Sequence, residues 1–455
     1  MTTTSPGPAR PQRGDELELT IDALAYGGNG VARLDGYVVF VAGAMPGDRV
    51  RAVIGKRKRA YAEARAVEIL APGPDRIAPV ADHPGAPWQV LGYERQLEVK
   101  AGQVDEALRR IGRLDGFILE PIVPAVAQWR YRNKLEYSFG TGPAGELVCG
   151  FHAPGRWDEI VPIDDCLLAS EPANAARRQI VDWCRQQGLP AYDRRTNEGL
   201  LRNLVVRESR RSGALQVRLV TGDGRLHRVS LIEAGAGLDG LLWTRQTSVG
   251  ETTQGGETEL LAGSDRFEET IGGMRFQISA QAFFQTNTEM AEQLYGIALE
   301  YAQAGGFERV YDLYCGIGTI GLLMSPRVAE LWGLELVPEA IADAIANARL
   351  NEVDNAHFFA GDVRLALREL VERAGRPDVL VVDPPRAGLS QKVVRRIIEA
   401  SPARIVYVSC NPTTLAPNAA QLVEAGYDLV RVRPVDMFPQ TPHIECVAEL
   451  VRRAA

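Results

Sequence analysis

Polar and apolar residues alternate early in the chain. Glu16-Leu17-Glu18-Leu19-Thr20-Ile21 reads as a half-buried strand, and Tyr37-Val38-Val39-Phe40-Val41 and Arg49-Val50-Arg51-Ala52-Val53-Ile54 follow across Gly27-Gly28-Asn29-Gly30 and Pro46-Gly47-Asp48 turns. Short strands separated by regular turns predict a small OB-like β-barrel over residues 14–70. Before it, residues 1–13 are polar and Pro-rich without an apolar stretch, which predicts a disordered tail and not a secretion signal. A Pro/Gly linker at 71–75 opens a middle segment, 71–275. Leu97, Ala101, Val104, Leu108 and Ile111 recur at three- and four-residue spacing and predict a helix over 94–111. Strand-like runs at 134–139, 201–208 and 214–221 and a helix at 171–187 make this middle segment α+β. From about residue 290 the texture changes. Apolar β-branched runs at 309–313, 329–336, 379–382 and 405–409, with another ending at Phe358-Phe359, alternate with helical segments such as 338–350. That pattern predicts a parallel, Rossmann-like sheet covered on both faces, in a domain spanning 276–455.

Composition changes this picture little. With 455 residues, 45% hydrophobic and 24% charged, the chain suits two or three globular domains and holds no apolar run of membrane-spanning length. Six scattered cysteines without a C-x-x-C pair point to a reducing cytoplasm, and the five histidines show no metal-ligand spacing. The net charge of −7 argues weakly against nucleic acid, but local patches decide phosphate affinity. Lys56-Arg57-Lys58-Arg59, followed by Tyr61, is such a patch, either a solvated hairpin tip or a phosphate-contacting loop.

Asp312-Leu313-Tyr314-Cys315-Gly316-Ile317-Gly318-Thr319-Ile320-Gly321 follows a strand and opens a helix, so its glycines let backbone approach a ligand. It also fits G-x-G-x-x-G, which keeps a nicotinamide or flavin dehydrogenase in view. Glu335 at the next strand end suits ribose hydroxyls in either case. Asp362, after the third strand, is placed for an adenine edge. Asp383-Pro384-Pro385-Arg386 forms a stiff polar lip for which a dehydrogenase has no use.

Tyr407-Val408-Ser409-Cys410-Asn411-Pro412 ends the fifth strand, so Cys410 points at the crevice where ligands of open α/β sheets bind. A thiolate adding to carbon 6 of a uracil makes carbon 5 nucleophilic, and a base must then remove the carbon-5 hydrogen. Glu445 and His443 are both candidate bases. Cys315 is a rival nucleophile that belongs to the glycine loop.

Together with Gln281-Ala282-Phe283-Phe284-Gln285-Thr286-Asn287 and the 440–445 segment, these motifs resemble the RNA (uracil-5-)-methyltransferase family, in the subgroup with an N-terminal TRAM domain. The resemblance implies S-adenosylmethionine as cofactor, with Gln285, Tyr314, Glu335 and Asp383 at its pocket and Thr319 and Asp362 as minor contributors. It implies Cys410 as nucleophile, Glu445 as base and the 14–70 barrel as an RNA-holding module. Trp129-Arg130-Tyr131-Arg132-Asn133-Lys134 is similar to the family's basic-aromatic stretch, though alone it reads as an amphipathic strand.

One departure stands out. Many relatives hold an iron–sulfur cluster with three closely spaced cysteines, whereas Ala81-Asp82-His83-Pro84-Gly85-Ala86-Pro87-Trp88 contains none and Cys166 stands alone. One thiolate cannot hold such a cluster, so none is expected. The expectation is a monomeric cytoplasmic enzyme acting on RNA, ribosomal in preference to transfer RNA, with no membrane partner. The competing reading is a non-catalytic RNA-binding protein with a degenerate methyltransferase domain.

Overall fold

A computed structural model describes residues 10–248, 250 and 252–454. The tail expected over 1–13 thus lies, up to residue 9, outside the described residues. Beyond it Pro11 is buried, and the Gln12 amide donates to the Asp15 carboxylate at 2.6 Å. The chain divides into two compact units.

The first unit comprises the described residues up to Asp82, Ala86–Glu106 and Phe438–Ile444. Its six-stranded sheet runs Glu16–Thr20, Arg49–Arg57, Tyr61–Ala71, Tyr37–Ala42, Gly30–Leu34, Ala23–Leu24. The alternation of the sequence drives this sheet, for Leu19, Ile21, Val39, Val41, Val50, Ala52 and Ile54 form one core. The basic run sits at the tip between Arg49–Arg57 and Tyr61–Ala71.

The chain is helical where expected over 94–111, but the buried face differs. An α-helix covers Tyr93–Glu106, and a π-helical turn follows at Ala107–Ile111. The buried face of Tyr93–Glu106 is mostly polar, with Gln96, Lys100, Gln103 and Val104, while Ile111 is 52% exposed. Long-range hydrogen bonds explain the shift. Gln96 Nε2 donates to Gln440 Oε1 at 2.8 Å, the Gln440 amide donates back to Gln96 Oε1 at 3.0 Å, and Lys100 Nζ donates to the Phe438 carbonyl. Buried polar groups with partners of this kind outweigh apolar periodicity.

The second unit comprises His83–Gly85, Ala107–Met437 and the residues from Glu445. One of its sheets has seven strands, in the order Arg156–Pro162, Leu147–Ala153, Lys134–Thr141, Leu201–Glu208, Leu215–Thr221, Gly240–Arg245, Glu257–Gly263. Helix Glu171–Gln186 packs on it, capped by Ser170. Buried arginines tie its loops. Arg202 donates to the carbonyls of Gln246, Ser248 and Gly250, and Arg207 to those of Ser279 and Ala282. At the basic-aromatic stretch Tyr131 and Asn133 are buried, Arg130 is held by Asp165 and Glu171, and Lys134 by Glu136. Those side chains serve packing. The lone Cys166 is fully buried, and its sulfur lies 3.3 Å from His83 Nε2.

The other large sheet has eight strands, in the order Ala356–Ala360, Glu330–Glu335, Arg309–Leu313, Val379–Val382, Arg404–Ser409, Glu445–Arg452, Tyr427–Val435, Ile118–Leu119. The first five are parallel, and Glu445–Arg452 enters antiparallel beside Arg404–Ser409. Val379–Val382 is buried throughout, as a strand covered on both faces must be. Helices Thr288–Ala302, Thr319–Met324, Pro338–Leu350, Val363–Ala374, Gln391–Ala400 and Pro412–Glu424 connect and cover it, giving the doubly wound α/β class expected. Among the described residues no helix is long and apolar enough to cross a membrane.

Candidate active site

The carboxyl ends of the parallel strands carry the chemistry. After Arg309–Leu313 the chain turns sharply. Tyr314 takes a φ of 62°, Gly316 of 55° and Gly318 of 83°, and helix Thr319–Met324 begins at once. A side chain on Gly318 would press the Phe358 ring at 3.1 Å, so this position is closed to larger residues. Glu335 closes the loop from the neighbouring strand end, accepting from the Gly316 amide at 3.2 Å and from Val337 at 3.0 Å. Thr319 is buried as the first residue of its helix. Asp362 caps helix Val363–Ala374, accepting from the Arg364 amide at 2.9 Å, and its carboxylate also holds the Arg364 guanidinium. The adenine-edge place read for Asp362 is thus taken up in part by its own helix.

Phe283, Phe284, Gln285, Tyr295, Asp312, Tyr314, Cys315, Thr319, Ile320 and Asp383 line one cleft. Gln285 reaches it because its flanking backbone is pinned. Arg207 holds the Ala282 carbonyl at 2.8 Å and Asn133 Nδ2 the Gln285 carbonyl at 2.9 Å. Asn287 caps helix Thr288–Ala302 and donates to the Met437 carbonyl at 2.9 Å. A larger cavity of about 810 Å³ shares Phe283 with this cleft and reaches Glu335 and Val337. Phe283 is 71% exposed.

The cleft is acidic. Asp312 Oδ2 accepts from the Gly321 amide at 2.9 Å, while its buried Oδ1 has no hydrogen-bond partner. Burial, with Asp383 and Glu335 adding to it, pushes the Asp312 carboxyl up to about 7. Burial likewise raises Asp383 to about 7. An orphaned, buried carboxylate oxygen calls for a cation or a donor. Asp312 had no role in the sequence reading beyond its place in the loop, and its burial is what distinguishes it. Tyr295, on helix Thr288–Ala302, gave no sequence signal because it falls among that helix's core positions.

Cys410 stands where strand Arg404–Ser409 passes into helix Pro412–Glu424. Asn411 caps that helix, accepting from the Thr413 amide at 3.1 Å, and Pro412 sits in its first turn, which suits a missing N–H. Asn411 Nδ2 also donates to the Arg386 carbonyl at 3.0 Å, tying the Asp383–Arg386 lip to the thiol's loop. On the other side Ser409 pairs with Cys446 in antiparallel register, so the next step along that register sets Cys410 against Glu445. Residues opposed in this way share a face of the sheet. Cys410 is half-buried and Glu445 only 4% exposed. Burial first, then the charges of Glu445 and Asp383, push the Cys410 thiol up to about 12, against the pull of Arg386. Burial and Asp383 raise Glu445 well above the usual carboxyl range, again against Arg386. Arg386 is thus the cation facing both groups, a part the sequence reading left unassigned. Cys315, the rival thiol, is buried, and burial raises its pKa strongly. His443, the other candidate base, belongs to the first unit, with its ring edge-on to Phe438 at 6.0 Å.

A ligand spanning this cleft and the cavity that shares Phe283 with it would meet Asp312 and Asp383 with positive charge and Glu335 with a diol. S-adenosylmethionine has both, in its sulfonium and ammonium groups and its ribose. Comparison with known proteins agrees. A tRNA (Uracil-5-)-methyltransferase family model matches residues 265–453 and a TRAM domain model residues 10–67. The chain is 38% identical over 447 residues to an uncharacterized RNA methyltransferase of Halalkalibacterium halodurans, covering 96% of this chain and 97% of that one. It is 40% identical over 456 residues to one of Gloeobacter violaceus, covering 97% of each. Among solved structures it resembles the Pyrococcus abyssi tRNA (uracil-54, C5)-methyltransferase in complex with S-adenosyl-L-homocysteine, with a TM-score of 0.79 and 27% identity over 95% of this chain and 99% of that one. The chain therefore belongs to the TRAM-containing RNA (uracil-5-)-methyltransferase family and is an S-adenosylmethionine-dependent RNA methyltransferase.

Proposed function

We propose that the protein methylates carbon 5 of a uridine through a covalent adduct at Cys410. The observation that carries the reading is the antiparallel register that, one step past Ser409–Cys446, brings Cys410 and Glu445 together, with Asp383 of the acidic cleft acting on both. Gln285, Tyr314, Glu335 and Asp383 hold the cofactor, with Thr319 and Asp362 supporting the loop and helix around it. Bound there, S-adenosylmethionine supplies an electrophilic methyl group. Cys410 loses its proton to water, and its thiolate bonds through sulfur to carbon 6 of the uracil, which pushes electron density onto carbon 5. After carbon 5 is methylated, Glu445 takes the carbon-5 proton. The electron pair left behind restores the ring double bond and expels the Cys410 sulfur. Arg386, facing both groups, favours the thiolate and the carboxylate over their neutral forms. Because the target atom must reach the cleft, the uridine is turned out of its stack.

The TRAM domain leads us to favour ribosomal RNA. The likeness to the Pyrococcus abyssi enzyme supports a transfer-RNA substrate as the second reading. We take the enzyme to act as a cytoplasmic monomer. The test uses 5-fluorouridine-containing ribosomal and transfer RNA with S-adenosylmethionine. A denaturation-resistant protein–RNA adduct with one fraction, lost in Cys410→Ala, is expected. The absence of an adduct with both would overturn the mechanism.

A further inference from the structure

The lip that begins at Asp383 continues into helix Gln391–Ala400, whose outer face is cationic. Lys392 and Arg395 are exposed, and neither makes an ion pair among the described residues. Arg396 is held by Glu399 and Arg364 by Asp362. Arg364, Ser390, Gln391, Lys392, Arg395, Arg396 and Glu399 line an open groove of about 600 Å³. Helix packing is already complete on the other side, where Val393, Val394 and Ile397 are buried. The cations are therefore not needed to hold the helix in place. In a chain of net charge −7 such a face stands out.

Its position matters as much as its charge. Arg386, exposed, faces Cys410 and Glu445, and its carbonyl is held by Asn411 next to the thiol. Only Ala387, Gly388, Leu389, Ser390 and Gln391 separate it from Lys392. Cations thus follow one another along the chain, from Arg386 acting on Cys410 and Glu445 to Lys392 and Arg395 on the helix face. A polyanion entering with one base in the cleft has its neighbouring phosphates near this track.

We propose that Lys392 and Arg395, with the groove beside Arg364, seat the phosphodiester backbone of the substrate RNA next to the extruded uridine. The inference rests on the uridine-methylating function proposed above. Neutralising a phosphate releases counterions, so each contact adds to the salt dependence of RNA binding. Contacts of this kind set affinity and register and leave bond-making to the groups in the cleft.

The experiment uses the full chain and whichever RNA fraction the wild type methylates. RNA affinity is measured across a salt series for wild type, Lys392→Gln/Arg395→Gln and Lys392→Glu/Arg395→Glu. The Gln pair should make the slope of log affinity against log salt shallower by about two. The Glu pair should raise KM for RNA at least about tenfold while kcat and S-adenosylmethionine affinity stay at wild-type values. Both side chains are exposed, so folding is checked simply by unchanged cofactor affinity. Wild-type affinity and slope in both variants would overturn the proposal and leave the methylation reading standing. A wild-type protein that methylates neither fraction would remove that reading, and this inference with it.

Discussion

Glu445 lies across the sheet from Cys410, one step past the Ser409–Cys446 pair, although 34 positions separate them in sequence. Antiparallel register thus delivers a carboxylate at the start of one strand to a thiol in the tight turn that ends its neighbour. Burial and the acids around them push both pKa values up, Cys410 to about 12. Glu445→Gln should therefore separate the two chemical stages. We expect turnover to fall by about 10²–10⁴ while the methylated RNA–protein adduct accumulates on unmodified substrate. Loss of turnover without any adduct would assign the proton-removing step elsewhere.

Asp312 and Asp383 predict a pH dependence. Both are raised to about 7, against roughly 4 in an unfolded chain. Between those values the folded protein binds more protons than the unfolded one. The stability these groups contribute is therefore full below about pH 4 and falls as pH rises through 7. A cationic cofactor favours the charged carboxylates, so its binding near pH 6.5 should release protons and tighten toward pH 8. Calorimetry in buffers of different ionisation enthalpy measures this directly. Binding without proton release would contradict it.

Asp312→Asn offers a split readout. The amide oxygen can still accept from Gly321, while the orphaned charge disappears. Thermal stability without cofactor at pH 8 should hold or rise, and S-adenosylmethionine affinity should fall by about tenfold, the worth of one lost charge-assisted contact. A variant that loses stability and keeps affinity would make Asp312 a purely structural residue.

Much of the large sheet was legible because strands such as Val379–Val382 are buried on both faces and carry that burial as an unbroken apolar run. Cys410 was legible for the same reason, since position after a parallel strand end implies the crevice. The helix over 94–111 was legible in place but not in its buried face, because Gln96, Lys100 and Gln103 are buried, with partners that include residues some 340 positions away. Strand Tyr61–Ala71 went unread because its Ala- and Glu-rich sequence lacks a clean alternation, and its pairing with two other strands decides its shape. Between His443 and Glu445, two residues apart, residue type and spacing do not choose, and only the family resemblance points to Glu445. The strand that begins at Glu445 is set by a register that is invisible in one chain.

Gly333→Ala tests the packing beneath the glycine loop. An added methyl would meet the Phe358 ring at 2.4 Å and the Cys315 sulfur at 3.0 Å. Over-packing of this kind should cost about 1–3 kcal/mol, read as a lower urea midpoint with unchanged m-value. Wild-type stability would mean that Phe358 yields without cost.

The buried His83–Cys166 contact gives a prediction for the region where relatives place cysteines. Neither His83→Ala nor Cys166→Ala should change the iron content of anaerobically purified protein, and each should lower stability by about 1–3 kcal/mol through cavity and hydrogen-bond loss. Stoichiometric iron and sulfide in the wild type would refute this assignment.

The little strand Ile118–Leu119 lies parallel to Tyr427–Val435 and finishes the far side of the eight-stranded sheet, far ahead in sequence of the other members, which begin at Arg309. Cutting the chain near residue 275 to isolate the catalytic part would strip that cover. The fragment would present a naked row of amide and carbonyl groups, free to recruit any passing strand. Its tendency to self-associate would then report on a missing neighbour and not on any weakness of the catalytic fold.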